Sequence, residues 1–187
     1  MTEDEGRSSS PDWSHHRTER LVLDRVTVAD TDQLHAIHAD PRVWTHFPSG
    51  RHDTPAATEA LVADCIREWE TNGIGYWSVR DRADGPVIGI GGCRLVVDED
   101  RWNLYYRFTP EVQGRGYATE LARAAVAVAN RVAPDVPVVA YMLATNPSSW
   151  RVADKIGLTK VWEGPDAGNP DPTAIRYVYA DRPGYAV

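Results

Sequence analysis

One segment narrows the choice of folds more than any other: Phe108-Thr-Pro-Glu-Val-Gln-Gly-Arg-Gly-Tyr-Ala-Thr-Glu120. It joins an apolar strand pattern, Trp102 to Phe108, to an alanine-rich helical pattern, Tyr117 to Arg131, with Leu121, Ala125 and Val128 facing inward. Gly114 and Gly116 let the backbone turn tightly and approach a bound group closely, and Ala118 keeps the next position small. A helix starting here presents free N–H groups and the positive end of its dipole, so the junction can hold a diphosphate, with Arg115 adding a cation. The segment is not the Walker loop, which needs Gly-Lys-Ser/Thr, nor the dinucleotide fingerprint, which needs a third glycine. Gly89-Ile-Gly91-Gly-Cys-Arg94 fails that fingerprint too, because Arg94 stands where glycine is required. An ordinary loop can also carry two glycines, so the glycines alone leave both readings open.

The elements around the junction follow from periodicity and punctuation. Leu21, Val22, Leu23 and Val26 give a short strand, and residues 27–39 are helical with Leu34, Ile37 and His38 on one face. Residues 40–53, with Pro41, Trp44, Phe47, Pro48 and Gly50, are irregular. Thr54-Pro55 starts a helix with a hydroxyl cap; Leu61, Val62, Cys65, Ile66 and Trp69 form its stripe, and Gly73 stops it. Strands at 76–79, 87–97 and 102–108 follow, with turns at Ala83-Asp84-Gly85 and Asp98-Glu99-Asp100, an antiparallel meander. Beyond the alanine-rich helix come a buried-type strand at 136–143, a helix opened by Asn146-Pro147 and stopped by Gly157, and closing strands at 158–162 and 175–179. This order predicts a mixed α/β fold of the α+β type, one domain over residues 18–187 without internal repeats. Residues 1–17, rich in Ser, Pro and charge, with His15-His16, are expected to be a disordered tail.

Charge and composition exclude several classes. The formal charge is −7, from 27 acidic and 20 basic residues, which argues against a general nucleic-acid binder. It favours the approach of a cationic amine. No apolar run reaches the length of a membrane span, and the opening MTEDEGRSSS predicts no secretory signal, so no membrane partner is expected. Cys65 and Cys93 make neither a disulfide framework nor a metal pattern, which suits a cytoplasmic protein. All six histidines lie within the first 52 residues, none in a metal-binding motif; His35-x-x-His38 shares a helix face without further ligands, so no metal is expected.

Three segments in register carry a resemblance. Gln113-x-x-Gly116-x-Ala118 is similar to the Q/R-x-x-G-x-G/A signature of the GNAT superfamily of acyl-CoA N-acyltransferases, and Tyr117-Ala118-Thr119-Glu120 resembles its form in the RimJ/RimL branch of ribosomal-protein N-acetyltransferases. Thr18-Glu19-Arg20-Leu21-Val22-Leu23 looks like that branch's opening strand. Asn146-x-x-Ser149, followed by Asp154-Lys155-Ile156-Gly157-Leu158, resembles its N-x-x-S…E-K-I-G-F segment. The resemblance covers about residues 18–180. It implies a GNAT fold, a mostly antiparallel sheet flanked by helices and splayed at two parallel central strands, here 102–108 and 138–143.

The same resemblance implies an enzyme moving an acetyl group from acetyl-CoA to an amine by direct attack in a ternary complex. The amine would be a protein N-terminus, a small metabolite or an antibiotic, and the enzyme a monomer or homodimer. Carried over residue by residue, the backbone near Tyr106 and Phe108 pairs with the pantetheine amides. N–H groups of residues 113–119 (Gln113, Gly114, Arg115, Gly116, Tyr117, Ala118, Thr119) hold the diphosphate, and Asn146 bonds the pantetheine arm. Asn146 reads equally well as a helix cap. The tyrosine acid that many members place seven residues after the asparagine is Ala153 here, and the glutamate that the branch often has on its central strand aligns with Asn103. Ser149 is the remaining candidate for a catalytic proton donor, with helix-end polarity as its other reading. A leaving thiol with pKa near about 8.5 needs little acid help. His35, His38, His46 and Glu59 lie in the region that would face the acceptor. Trp44, His46 and Phe47 are expected to line the acceptor pocket, or else the rings pack the loop onto the core. Arg123, Arg151 and Lys155 could meet the 3′-phosphate of CoA or lie on solvated helix faces. The missing tyrosine and glutamate keep a second class open, a CoA-binding module with little or no transferase activity.

Overall fold

The structure, a computed structural model, describes residues 11–185. Eight strands form one sheet: β1 His15–Arg17, β2 Val22–Arg25, β3 Tyr76–Arg80, β4 Gly89–Val96, β5 Arg101–Phe108, β6 Val138–Leu143, β7 Thr159–Pro165 and β8 Ile175–Ala180. Four helices flank it: α1 Thr31–Ala39, α2 Pro55–Asn72, α3 Tyr117–Val132 and α4 Pro147–Lys155. The strand order is β1-β2-β3-β4-β5-β6-β8-β7, and the β5–β6 pair alone is parallel among the described residues. The mixed α/β fold with an antiparallel sheet opened at one parallel junction is the arrangement expected from the sequence.

Local chemistry explains where the helices begin and end. Pro55 occupies the first position of α2, and Gly73 ends it with φ of 65°. The Thr54 hydroxyl makes no capping bond, so proline geometry and not a cap starts that helix. Asn146 does cap α4, its side chain accepting from the Ser149 N–H. The two faces of the sheet are set by the alternation along β5. Trp102, Leu104, Tyr106 and Phe108 point to the core beneath α3 and α4, whereas Tyr105 joins the cluster of α1 and α2 with Leu34, Ile37, Val62 and Ile90.

The glycines of β4 answer to α3 and β5, not to a nucleotide. A Cβ on Gly91 would stand 2.5 Å from the Tyr105 carbonyl oxygen and 2.8 Å from Leu121, and one on Gly89 would strike the Phe108 ring. Both gaps let α3 and its ring partners sit close to the strand.

The expected tail is corrected in its last residues; residues 1–10 lie outside the described residues. His15–Arg17 pair antiparallel with Val22–Asp24 across a turn in which the Thr18 N–H donates to the Leu21 carbonyl at 3.0 Å. Trp13 packs on the core, and its carbonyl accepts from the Trp77 indole N–H at 2.8 Å. A three-residue strand is too short to show a period, and its anchor on Trp77 lies more than sixty residues away.

Gly91→Val should destabilise the protein by about 3 kcal/mol, because the added carbons overlap backbone and a buried leucine at once. Urea unfolding of the two proteins measures the difference.

Candidate active site

The parallel pairing of β5 with β6 lasts only two positions, Trp102 with Val138 and Asn103 with Val139. Beyond it the strands diverge, while β5 stays paired to β4 through Phe108 and β6 to β8 through Leu143. The inner edges of both strands therefore face each other across a gap, and a cavity of about 540 Å³ fills it. Its walls include Leu104 to Phe108, Ala140 to Leu143, Asn146 and Ser149. Facing strand edges offer a flexible amide chain the pairing they deny each other.

At one end lies the glycine loop. Gly114 and Gly116 have φ of 79° and 84°, in the left-handed region, and a Cβ on Gly114 would meet nothing within 4 Å. Dihedral freedom, rather than space, is what these positions require. The first α3 donor with a backbone acceptor is Glu120, to the Gly116 carbonyl at 3.1 Å. The N–H groups of Gly114, Gly116, Tyr117, Ala118 and Thr119 have no acceptor among the described residues, which leaves a row of donors at a helix N-terminus. Two expected members of that set differ. The Gln113 and Arg115 N–H groups bond back to the Pro110 and Val112 carbonyls. Gln113 instead acts through its side chain, whose Nε2 donates to the Phe108 carbonyl at 3.1 Å and ties the loop to the end of β5. Arg115 is exposed and does not line the cavity.

A clamp holds this end in place. Arg20 donates through Nε to Glu120 Oε2 at 2.7 Å and through Nη1 to the Arg115 carbonyl at 2.9 Å, and its guanidinium lies over the Tyr117 ring. The Arg20 N–H and the Thr18 hydroxyl donate to Glu120 Oε1. Partial burial would raise the Glu120 carboxyl, but these hydrogen bonds outweigh it and hold it below its ordinary range. Arg20 and Glu120 lie a hundred residues apart, so no local pattern joins them.

At the other flank, Asn146 is buried and turned into α4. Its Oδ1 accepts from Ser148 Oγ and the Ser149 N–H, and its Nδ2 donates to Ser149 Oγ at 3.1 Å. Both side-chain ends of Asn146 thus serve the helix cap. Ser149 Oγ accepts that bond, which leaves its own hydroxyl proton to donate elsewhere, and it lines the cavity. The Tyr106 hydroxyl donates to the Ser149 carbonyl at 3.1 Å, and burial pushes its pKa up to about 12. Ala153 is buried beneath the sheet, and Asn103 donates to the Tyr76 hydroxyl at 3.1 Å, on the α1–α2 side. Arg151 and Lys155 line the cavity from α4, whereas Arg123 bonds the Lys155 carbonyl outside it.

The wall on the α1–α2 side is partly as expected and partly not. His46 and Phe47 line the cavity. Trp44 does not: it is buried, its indole N–H donates to the His38 carbonyl at 2.6 Å, and the Arg107 guanidinium carbon sits 3.3 Å from its ring centre. Its ring packs the loop and carries Arg107. Of the other residues in this region, Glu59 is exposed, and His35 bonds Thr58 Oγ1. His38 stacks on His52, its Nδ1 bonds the Leu34 carbonyl at 2.8 Å, and its Nε2 lies 3.3 Å from the Tyr105 hydroxyl. Burial lowers its pKa to about 4, the nearby His52 and Arg107 adding to the shift. His46 is also lowered, by burial first and then by Arg107. Adjoining strand residues Tyr105 and Tyr106, of which alternation predicts that only one faces the cavity, both line it; the residue that sequence reasoning overlooked here is Arg107, whose position opposite Tyr106 and Phe108 in the strand alternation was the available signal.

Residues 20–159 match the acetyltransferase (GNAT) domain family, and the chain belongs to that family. The membership carries acetyl transfer in general. The chain is 29% identical over 147 residues to the uncharacterized protein YkkB of Bacillus subtilis, covering 74% of this chain and 84% of that one. An acetyltransferase from Agrobacterium tumefaciens superposes with a TM-score of 0.72 at 28% identity, over 95% of this chain and 99% of that one. A RimL ribosomal L7/L12 α-N-protein acetyltransferase in complex with coenzyme A superposes with a TM-score of 0.71 at 16% identity, over 87% and 94%. Among the described residues, no helix is long and apolar enough to cross a membrane, and no group of three or more His, Cys, Asp or Glu is arranged to hold a metal ion.

Gly116→Val should weaken binding of CoA at least about tenfold, since a β-branched residue at φ of 84° costs roughly 1–2 kcal/mol and re-aims the donors beside it. Calorimetric titration with CoA reads the effect. His38 gives a pH signature. Its folded pKa is below that of the unfolded chain, so unfolded molecules bind the extra proton and stability falls as pH drops from about 6.5 toward 4. The loss attributable to His38 is on the order of 3 kcal/mol, and His38→Gln should flatten the slope of urea stability against pH in that window.

Proposed function

We propose that the protein is an N-acetyltransferase of the RimJ/RimL-like kind, with acetyl-CoA as co-substrate and an amine as acceptor. The observation that carries this reading is the parting of β5 and β6 beside a row of unpaired N–H donors. One feature accepts an extended amide arm and the other a diphosphate, at two ends of one cavity. The CoA-bound RimL structure, which shares the fold, supports the same use of the cavity here.

Acetyl-CoA, when bound, supplies the thioester carbonyl. The N–H groups of Gly114 and Gly116 to Thr119 hold its phosphates, while Gln113 keeps the loop seated on β5. A neutral amine forms the new C–N bond as the C–S bond breaks; one proton leaves the nitrogen and one reaches the sulfur. Ser149 is placed to give that second proton, because Asn146 Nδ2 occupies an acceptor site of its hydroxyl and leaves the O–H for the cavity. The tyrosine found in many relatives would stand at Ala153, which is packed against the core, so the cap of α4 takes over the role from the same helix. His46 is the candidate base on the acceptor wall: it lines the cavity and, with its pKa lowered, is neutral near pH 7.

Asn103, bonded to the Tyr76 hydroxyl where the branch often carries a glutamate, favours a second reading in which the domain binds CoA with little turnover. Ser149→Ala separates the two. With acetyl-CoA and an accepted amine, it should lower kcat about tenfold to a hundredfold while CoA affinity changes less than about twofold. Thiol release gives kcat, and calorimetry gives the affinity. Unchanged kcat would return Ser149 to the helix cap, and no thiol release by the wild-type protein across an amine panel would leave the binding module.

A further inference from the structure

Arg107 is a cation built into the acceptor wall with no carboxylate to answer it. It is half-buried, lines the cavity, and makes no ion pair among the described residues. Three contacts hold it: Nε donates to the Tyr105 hydroxyl at 2.8 Å, Nη1 donates to the Val43 carbonyl at 2.7 Å, and its carbon sits over the Trp44 ring, 3.3 Å from the ring centre. A guanidinium has five N–H donors; two are committed, so three remain. Two of the other lining cations are answered, while Arg151 and Lys155, on α4, make no ion pair among the described residues either. Arg42 is bonded by Asp40 and Glu111, and Arg176 by Asp166, which is the one carboxylate among the lining residues described.

Charge in the cavity therefore runs against charge on the chain. The formal −7 led to the expectation of a cationic amine drawn in by acidic surroundings, but the wall that would meet it is positive. Keeping an unpaired guanidinium partly out of water is unfavourable unless a ligand supplies the counter-charge. The strand alternation also separates Arg107 from the phosphate end. It projects toward α1 and α2, whereas the N–H cradle, Arg151 and Lys155 belong to α3 and α4 on the other face.

We infer that the acceptor is an amine that also carries an oxyanion, a carboxylate or a phosphate, and that Arg107 is the residue that selects it. The inference rests on the acetyl-transfer reading above and deepens it. The oxyanion takes the free N–H groups of the fork, a geometry that arginine offers and lysine does not. Holding that group against Arg107 leaves the amine end of the molecule for the thioester. Arg107 and Trp44 thereby explain each other: the indole, kept out of the cavity, orients the guanidinium that faces into it.

The test uses amine pairs that differ in the anion alone: amino acids against their carboxamides for the carboxylate, and phosphoethanolamine against ethanolamine for the phosphate. Each pair is measured twice, by thiol release at saturating acetyl-CoA and by calorimetric binding to the CoA-saturated protein. The expected result is that the anionic member of at least one pair binds and reacts about tenfold better. Arg107→Gln should bring that ratio to within about twofold with CoA affinity retained, and Arg107→Lys should restore part of it. Equal or better use of the neutral members, a ratio unchanged in Arg107→Gln, or no binding by any anionic member overturns the inference. Anion-selective binding without thiol release upholds the Arg107 site and overturns the transfer reading. Thiol release without anion preference does the reverse.

Discussion

The separation of β5 from β6 after two residue pairs is the constraint on which the rest depends. A sheet that stops pairing in its middle leaves backbone donors and acceptors without partners, and such groups are costly away from water. Here the separation is held by pairing on the outer edges, β4 against β5 and β6 against β8, which runs to the ends of the separated strands. Neither strand can swing in to close the gap without losing those bonds. The cavity is thus a consequence of sheet geometry and requires no displaced loop.

Each side of the gap is then fitted for a different purpose by the two-residue alternation of β5. The face toward α3 and α4 carries Tyr106 and Phe108, the ordered loop and the free helix N-terminus. The Arg20–Glu120 clamp couples that terminus to the first strands, so the cradle is held by an element distant in sequence. The face toward α1 and α2 carries Tyr105 and Arg107, backed by Trp44 and the His38–His52 stack. One face concentrates backbone donors and the other a fixed guanidinium, and both open onto the same volume.

Within this arrangement the absent tyrosine and glutamate have structural counterparts. Ala153 is taken into the core and Asn103 into a bond with Tyr76 on the α1–α2 side. What lines the cavity instead is the Ser149 hydroxyl, whose oxygen accepts from the capping asparagine, and the imidazole of His46, its pKa lowered by burial. A weak acid is sufficient for a thiol, which departs readily, and a neutral imidazole suits an amine whose own pKa is low.

Much of this was legible in the amino-acid order. The meander, the glycine loop feeding an alanine-rich helix, the Asn146-Pro147 start of α4 and the glycine stops all follow from local rules, since turns, caps and periodicity act over a few residues. The two glycines with positive φ, the cavity-lining His46 and Phe47, and Ser149 beside Asn146 were readable for the same reason. The short strand at His15–Arg17 was not, because three residues have no period and its anchor, Trp77, is remote. Nor was the inward turn of Trp44, which a loop rich in aromatics suggests just as well as exposure. The sign of charge inside the cavity ran opposite to that of the whole chain. Net charge sums over the surface, whereas the charge a ligand meets depends on which side chains the sheet brings together and which are already paired. Sequence determined the elements and the chemistry of the loop; the tertiary structure alone decided that Arg20 would meet Glu120 and that Arg107 would stand without an ion pair among the described residues, because both depend on contacts between segments far apart in the chain.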